Sequence, residues 1–323
     1  MSAPTLLEVT DLVVRFKTAR GVVRAVNGVS LTLAAGETLG LVGESGCGKS
    51  TLGRALLGLA PVSGGTVRFE GIDVTRGLAG DLARLRARTA MIFQDPVGAL
   101  NPRLAVGEAI AEVLRVHRKV PPERIEARVH ELLAMVGLGP EHAGRRPATL
   151  SGGQCQRVGI ARALAVEPKL IIADECVAAL DVSIQAQIVN LMIELCRTMG
   201  LALIFIAHDL GLVRRLCRTI AVMYLGRIVE QGPSEQVFAD PLHPYTRALV
   251  AAIPEIDPDR PLPPEPLPGE PPSPLRLPTG CAFHPRCAQR LARCDHDPPP
   301  APLHRRERRV ACWLHAEPAR DAA

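Results

Sequence analysis

The sequence predicts an α/β fold with a mainly parallel central sheet. Short apolar runs typical of buried strands lie at residues 39–42, 170–173, 201–207 and 219–224. Segments with helical periodicity lie between them, at about residues 51–59, 183–199 and 208–217. Because parallel neighbours need crossover connections, this alternation of strand and helix favours a parallel sheet covered by helices.

Two regions extend this core. Residues 6–16 alternate apolar and polar side chains, and residues 66–70 have the pattern of a second strand, so an antiparallel β subdomain is expected. Residues 81–148 are rich in Ala, Arg, Leu and Glu with helical periodicity. They predict an inserted helical subdomain over about residues 81–155.

The composition changes near residue 254. Residues 254–278 are dominated by proline, which predicts an extended linker. Residues 279–323 form a small cysteine-rich extension, in which Arg305, Arg306, Arg308 and Arg309 are expected to be a solvated face. The main α/β domain is therefore expected to cover residues 1–253.

Composition and sequence pattern disfavour several classes of protein. The net charge of +5 is mild, and one Trp and two Tyr leave few platforms for stacking bases, which disfavours a nucleic-acid partner. The N-terminus has no secretory pattern, and the apolar runs are too short to span a bilayer. We therefore expect a cytoplasmic protein whose membrane role, if any, comes through a partner.

A glycine-rich segment follows the first predicted core strand. It consists of Gly43, Glu44, Ser45, Gly46, Cys47, Gly48, Lys49, Ser50 and Thr51. It fits the pattern G-x-x-x-x-G-K-[ST] between a strand and a helix, where backbone N–H groups and the helix N-terminus bind phosphate. An ATP site is expected here, with Lys49 at the β- and γ-phosphates and Ser50 on Mg²⁺.

Two carboxylates end another predicted strand. The run at residues 170–173 leads into Asp174 and Glu175. Ligands of parallel sheets gather at the carboxyl ends of strands, so both side chains are expected at the ATP site. There Asp174 is expected to hold Mg²⁺, and Glu175 to act as general base on the attacking water.

One further segment narrows the class of ATPase. Ser151, Gly152, Gly153 and Gln154 follow Leu150 and precede a helical run upstream of Asp174. This segment resembles the signature motif of ABC ATPases. The resemblance implies that two chains meet head to tail, so that these residues and Asp181 contact the ATP held by the partner chain.

Other positions match the same family. Gln94 matches the glutamine that contacts Mg²⁺ and the attacking water, and His208 matches the histidine that binds the γ-phosphate and orients the base. Phe16 is a candidate for the aromatic side chain that stacks on adenine, with a core position as the alternative. Cys176 departs from the Pro or Ala that usually follows the catalytic Glu.

The resemblance extends to a branch of the family. Residues 93–103, 151–157 and 243–249 are similar to peptide/nickel permease ATPases, and 181–187 to the second of their two paralogous ATPase subunits. This implies a paralogous ATPase partner (or a homodimer), two transmembrane permeases and an extracytoplasmic substrate-binding protein. The expected place is the cytoplasmic face of the inner membrane.

The tail contains Cys281, Cys287, Cys294 and Cys312. Its sequence resembles the C-terminal extension of peptide-permease ATPases, which in some members holds a [4Fe–4S] cluster on four cysteines. Four thiolates also suit zinc, and reduced bystander cysteines are a third reading. The remaining five cysteines are expected to be buried hydrophobic residues.

These observations predict an ATP-hydrolysing subunit that powers import of dipeptides or oligopeptides. Nickel or another small solute is an alternative cargo, because the specificity site lies in other proteins. A non-transport ABC ATPase acting on nucleic acid or the ribosome is a third alternative. Such proteins usually carry two ATPase units or long insertions, which this sequence does not show.

Overall fold

The computed structural model describes residues 4–253, 267, 269–300, 303–305 and 307–316 of the chain. Residues 254–266 and 268 of the predicted linker therefore lie outside the described residues. The chain divides into two units. The first comprises Met1–Glu8, Thr32–Thr38 and Arg68–Ala207, and the second Val9–Leu31, Leu39–Val67 and His208–Ala323.

The strands and helices follow one another along the chain. The strands are β1 (Thr5–Thr18), β2 (Gly21–Ala34), β3 (Thr38–Val42), β4 (Gly64–Phe69), β5 (Ile72–Asp73), β6 (Thr89–Ile92), β7 (Leu170–Asp174), β8 (Ala202–Ile206), β9 (Thr219–Tyr224), β10 (Arg227–Pro233), β11 (Leu303–Arg305) and β12 (Arg308–Val310). The helices are α1 (Lys49–Leu56), α2 (Ala79–Arg86), α3 (Val106–Val116), α4 (Ile125–Met135), α5 (Gly152–Leu164), α6 (Val182–Met199), α7 (Leu210–Leu216), α8 (Ser234–Ala239) and α9 (Pro244–Ala251).

In the first unit, β6, β7 and β8 form parallel pairs, with Thr89 opposite Leu170 and Leu170 opposite Ala202. Every residue of β7 and β8 is buried, as expected for strands covered on both faces. Helices α3 and α4 lie in the region predicted to be a helical subdomain, and they contact each other and α5, which begins there and continues beyond it. The strand β6 also lies in that region and was not predicted, because four residues are too few for a periodic signal.

In the second unit, β3 pairs with β9 in parallel, and β10 pairs with β9 antiparallel. The strands β2, β1 and β4 lie side by side in that order. The tail contributes the hairpin β11–β12, in which β12 pairs with β10 and Val310 lies opposite Glu230. The tail is thus an edge of this sheet, which its composition did not predict.

The solvated arginine face predicted for the tail is wrong at Arg308. Its side chain is 5% exposed and forms ion pairs with Asp240 at 3.0 Å and with fully buried Glu230 at 3.8 Å. The Glu230 carboxylate also accepts the N–H group of His243 at 2.8 Å. Arg308 is buried because pairing of β12 with β10 places it beside these carboxylates, and a buried charge needs such partners. Arg306 and the Arg305 side chain lie outside the described residues.

None of the helices in the described part of the chain has the length and apolar character needed to span a bilayer.

A buried histidine predicts acid sensitivity of the second unit. Burial lowers the pKa of His243 to about 3, with a smaller contribution from His315. The neutral ring accepts the Tyr245 N–H at Nδ1, 3.1 Å away. An exposed histidine titrates near pH 6.5, so below that pH the unfolded chain binds a proton that the folded chain does not. The contribution of neutral His243 to stability is therefore fully present above about pH 6.5 and is lost as the pH falls towards 3.

We expect this histidine to cost about 1.4 kcal/mol of unfolding free energy for each pH unit below about 6. Urea unfolding between pH 7 and pH 4 measures the slope. His243→Asn keeps an acceptor for the Tyr245 N–H but does not titrate, so its slope should be shallower by that amount. Equal slopes in the two proteins would contradict a neutral buried His243.

Candidate active site

The phosphate-binding loop joins β3 to α1 in the second unit, as the sequence predicted. Gly43 and Gly48 have φ angles of 152° and 106°. A Cβ atom at Gly43 would lie 2.1 Å from the Met223 carbonyl oxygen, and one at Gly48 would lie 2.1 Å from that of Ala25. The loop therefore requires glycine at both positions, for its backbone conformation and for its close approach to neighbouring strands.

Lys49 begins α1 and is 4% exposed. Its Nζ donates hydrogen bonds to the carbonyl oxygens of Gly43 at 2.7 Å and Glu44 at 3.0 Å. The ammonium group is thus held inside the loop. Ser50 and Thr51 lie in the first helical turn and are half-buried. Burial raises the pKa of the Cys47 thiol, which is consistent with a packing role.

Two residues that the sequence analysis did not assign to the site contact Glu44. The Glu44 N–H donates to the Tyr245 hydroxyl at 2.8 Å. The Glu44 carboxylate forms a bidentate ion pair with Arg286 of the tail. Both partners lie in segments that the sequence analysis noted only for their family resemblance. Tyr245 is 201 positions from Glu44 in the chain, so no local sequence pattern could relate it to the loop.

The first unit holds the two acidic residues at the carboxyl end of β7. Asp174 is 3% exposed. Glu175 has a φ of 45°, an uncommon conformation for a residue with a side chain. Its N–H donates to the Ile206 carbonyl at 2.9 Å, and its own carbonyl accepts the Ala178 N–H at 3.1 Å. These bonds fix the strained backbone, as is common at functional positions.

Cys176 follows Glu175 and is 1% exposed. Burial raises the pKa of its thiol to about 12, so it is neutral at physiological pH. The departure from the usual Pro or Ala therefore places a small uncharged side chain in the core.

The signature segment begins α5. The Ser151 hydroxyl accepts the Gln154 N–H at 3.2 Å, and the Gln154 side-chain oxygen accepts the Ser151 N–H at 3.0 Å. This reciprocal capping box fixes the helix start. Ser151 and Gly152 are exposed. A Cβ atom at Gly153 would lie 2.7 Å from Ile184 Cγ2, so this glycine allows α5 and α6 to approach.

The remaining predicted site residues lie at ends of strands or helices. Gln94 and His208 are exposed, each two positions after the end of a parallel strand, β6 and β8 respectively. Asp181 is exposed at the N-cap position of α6. Phe16 is half-buried on β1, two residues before the strand ends. The roles of these four residues stay predictions.

Burial raises the pKa of three of the four tail cysteines, namely Cys281, Cys287 and Cys312. Burial, with the other three cysteines contributing, raises the pKa of Cys312 to about 11. Burial also raises the pKa of Cys281, with Cys294 and Cys287 adding to it. Their chemistry suits an iron–sulfur cluster. However, no group of three or more His, Cys, Asp or Glu residues in the described part of the chain is arranged to hold a metal ion.

The other five cysteines are buried, as predicted. They are Cys47, Cys155, Cys176, Cys196 and Cys217.

Two family models match this chain. Residues 26–178 match the ABC transporter model, and residues 229–294 match the C-terminal region of oligopeptide/dipeptide transporters. The first match contains the phosphate-binding loop, the signature segment and the acidic strand end. The second ends at Cys294 and contains both residues that contact Glu44.

Several relatives are similar along most of the chain. The probable peptide ABC transporter ATP-binding protein y4tS of Sinorhizobium fredii is 51% identical, over 94% of this chain and 86% of the relative. The oligopeptide transport ATP-binding protein OppF of Salmonella typhimurium is 51% identical, over 87% and 88%. The di/tripeptide transport ATP-binding protein DppF of Pseudomonas aeruginosa is 44% identical, over 97% and 98%.

Two solved structures of ATP-binding cassette proteins are similar in fold to this chain. The fold is similar to that of cbiO1 from Clostridium perfringens, part of the transporter complex cbiONQ, with a TM-score of 0.65 and 30% identity over 73% of this chain and 91% of that one. It is also similar to the ATP-binding cassette MJ0796, solved as a dimer with ADP and Pi, with a TM-score of 0.65 and 28% identity over 71% and 99%. The chain belongs to the ABC transporter family, among the ATP-binding subunits of its oligopeptide and dipeptide branch.

Proposed function

We propose that this chain hydrolyses ATP to power import of dipeptides or oligopeptides. The observation that carries the proposal is the phosphate-binding loop, with Lys49 held inside it, in a chain about half identical to OppF. The names of the relatives support peptide as the cargo, and so does the match to the C-terminal region of oligopeptide/dipeptide transporters.

The predicted site residues have separate roles in ATP binding and in hydrolysis. The loop N–H groups and Lys49 bind the β- and γ-phosphates, and Phe16 stacks on adenine. Glu175 accepts the proton of the attacking water, and His208 orients Glu175 and binds the γ-phosphate.

The Ser50 hydroxyl, the Gln94 side chain and the buried Asp174 carboxylate would hold Mg²⁺ through their oxygen atoms. This hard oxygen donor set fits the ion. When bound, Mg²⁺ neutralises charge that develops on the phosphates.

The signature residues serve the other nucleotide. Ser151, Gly152, Gly153, Gln154 and Asp181 contact the ATP of a partner ATPase in a head-to-tail dimer. The exposed, capped start of α5 supports this role, because a helix N-terminus binds anions. The dimeric cassette of similar fold supports the assembly. We propose a paralogous ATPase as partner, with a homodimer as the alternative.

The remaining partners are two transmembrane permeases and, indirectly, an extracytoplasmic substrate-binding protein. In this assembly the subunit lies on the cytoplasmic face of the inner membrane. The region of about residues 94–108 would pass closure of the ATPase dimer to the permeases.

Copurification and transport assays test this function. The tagged chain is expected to retain two permease subunits in detergent, and the assembly in vesicles to hydrolyse ATP faster with a peptide-loaded binding protein. Lys49→Met should abolish both basal and stimulated hydrolysis. Stimulation by nickel alone would favour the alternative cargo, and copurification of nucleic acid without permeases would favour a non-transport ATPase.

We further propose that Cys281, Cys287, Cys294 and Cys312 bind a [4Fe–4S] cluster. The chemistry of four thiols supports this, and so does the match of the tail to the C-terminal region of oligopeptide/dipeptide transporters. Anaerobic purification should give a brown protein with about four irons per chain. A double variant, Cys281→Ser with Cys287→Ser, should lose the iron and the visible absorption. One zinc per chain would favour a structural zinc site, and a colourless metal-free protein would contradict both.

A further inference from the structure

Within the second unit, Arg286 of the tail forms an ion pair with Glu44 of the phosphate-binding loop. The Arg286 guanidinium forms two parallel contacts with the Glu44 carboxylate, Nη1 to Oε2 at 2.7 Å and Nη2 to Oε1 at 3.0 Å. The Arg286 side chain is 5% exposed and that of Glu44 is 26% exposed. Bidentate pairs that are largely shielded from water are stronger than surface ion pairs. The hydrogen bond to Glu44 accordingly raises the pKa of Arg286.

Glu44 connects this ion pair to Lys49. It directly follows Gly43 in the loop, and its carbonyl accepts hydrogen bonds from Lys49 Nζ at 3.0 Å and from the Cys47 N–H at 3.3 Å. Its N–H donates to the Tyr245 hydroxyl at 2.8 Å. The side chain, N–H and carbonyl of Glu44 are therefore all engaged, and the same residue that Arg286 holds also holds the lysine.

Arg286 itself has a rigid base. It ends a short 3-10 turn in which its N–H donates to the Phe283 carbonyl at 3.0 Å. Phe283 is 2% exposed and packs edge-on against Tyr224, with ring centroids 5.2 Å apart, and against Tyr245 at 5.4 Å. Tyr224 follows Met223, whose carbonyl faces Gly43. The tail thus rests on the end of β9 that also supports the loop.

We propose that Arg286 is a positioning residue for nucleotide binding. By holding Glu44, it keeps the loop from Gly43 to Lys49 in the shape that binds the phosphates of ATP. A loop already held in its bound shape loses less conformational entropy when ATP binds, so the affinity is higher. The inference rests on the proposed function, since it requires that the loop binds ATP.

Calorimetric titration of the full chain with Mg²⁺ and the non-hydrolysable analogue AMP-PNP tests the proposal. Arg286→Gln and Glu44→Gln should each weaken binding by about tenfold, within the usual range of coupling between sites. The double variant should bind AMP-PNP no less tightly than the single variant with the lower affinity, because both changes remove the same ion pair. Glu44→Gln leaves the tail sequence intact, so it decides the question if Arg286→Gln does not fold.

Two controls separate the possible failures. Arg290→Gln removes an exposed charge from the same tail and should bind AMP-PNP within about twofold of the wild type. Lys49→Met should not bind. If the wild type binds no better than Lys49→Met, the proposed function fails. If the wild type binds and Glu44→Gln binds equally well, or the losses in the double variant multiply, only the role of Arg286 is overturned.

A second measurement distinguishes positioning from simple support of the tail. Coupling between two sites is reciprocal, so AMP-PNP should slow hydrogen exchange of the Arg286 and Cys287 amides, which are bonded within the tail turn. This slowing should be absent in Glu44→Gln. Equal slowing in both proteins, or none in the wild type, would overturn the proposal.

Discussion

Replacing Glu175 with Gln is expected to lower kcat for ATP hydrolysis by about a thousandfold while ATP binding persists. A positioned general base typically contributes between a hundredfold and ten-thousandfold, and an amide cannot accept the proton of the attacking water at neutral pH. Gln has nearly the same shape as Glu, and the backbone bonds that hold position 175 do not involve the side chain. The variant should therefore fold and bind ATP, and should accumulate an ATP-bound closed dimer.

Single-turnover hydrolysis and size-exclusion chromatography with Mg²⁺-ATP measure these effects. Glu194→Gln is the matched control, because it makes the same change at an exposed position of α6 and should hydrolyse ATP like the wild type. Brisk hydrolysis by Glu175→Gln would exclude Glu175 as the base. An inactive variant that also fails to bind ATP would indicate a role in binding.

Replacing Gly48 with Ala is expected to weaken ATP binding by more than about a hundredfold. The added Cβ would lie 2.1 Å from the Ala25 carbonyl oxygen and 3.0 Å from Met223 Cε. The φ of 106° is also unfavourable for alanine. The backbone oxygen cannot move as a flexible side chain can, so the loop must shift away. Its N–H groups then no longer converge on the phosphates, whose binding depends on close backbone approach.

Gly71→Ala is the matched control for backbone strain alone. Gly71 lies in the turn between β4 and β5 with a φ of 78°, and a Cβ atom added there would meet no other atom within 4 Å among the described residues. That variant should lose about 1–2 kcal/mol of stability and keep wild-type affinity for ATP. Affinity for AMP-PNP and the thermal midpoint measure the two effects separately. Normal affinity in Gly48→Ala would show that the loop tolerates a side chain there.

Much of the core was predictable because its signals are local. The strand–loop–helix around Gly43–Thr51, the strand ending at Asp174 and the helix start at Ser151 each have their causes within about ten residues: apolar runs, glycines and a capping box. The strands β2, β6 and β10 were not predicted. A four-residue strand such as β6 has too little periodicity, and β10 depends on partners before and after it in the chain.

The contacts of the tail show most clearly what could not be predicted from the sequence. By itself, the sequence determined the family, the phosphate-binding loop, the acidic strand end and the presence of four cysteines in the tail, since residue type and short spacing carry that chemistry. Only the tertiary structure decided that Arg308 is buried beside Glu230 and that Arg286 and Tyr245 hold Glu44. Such contacts join residues up to 242 positions apart. The local sequence around an arginine does not show whether its side chain contacts water or a carboxylate. The fold brings the partners together, and the cost of burying an unpaired charge then selects the pair.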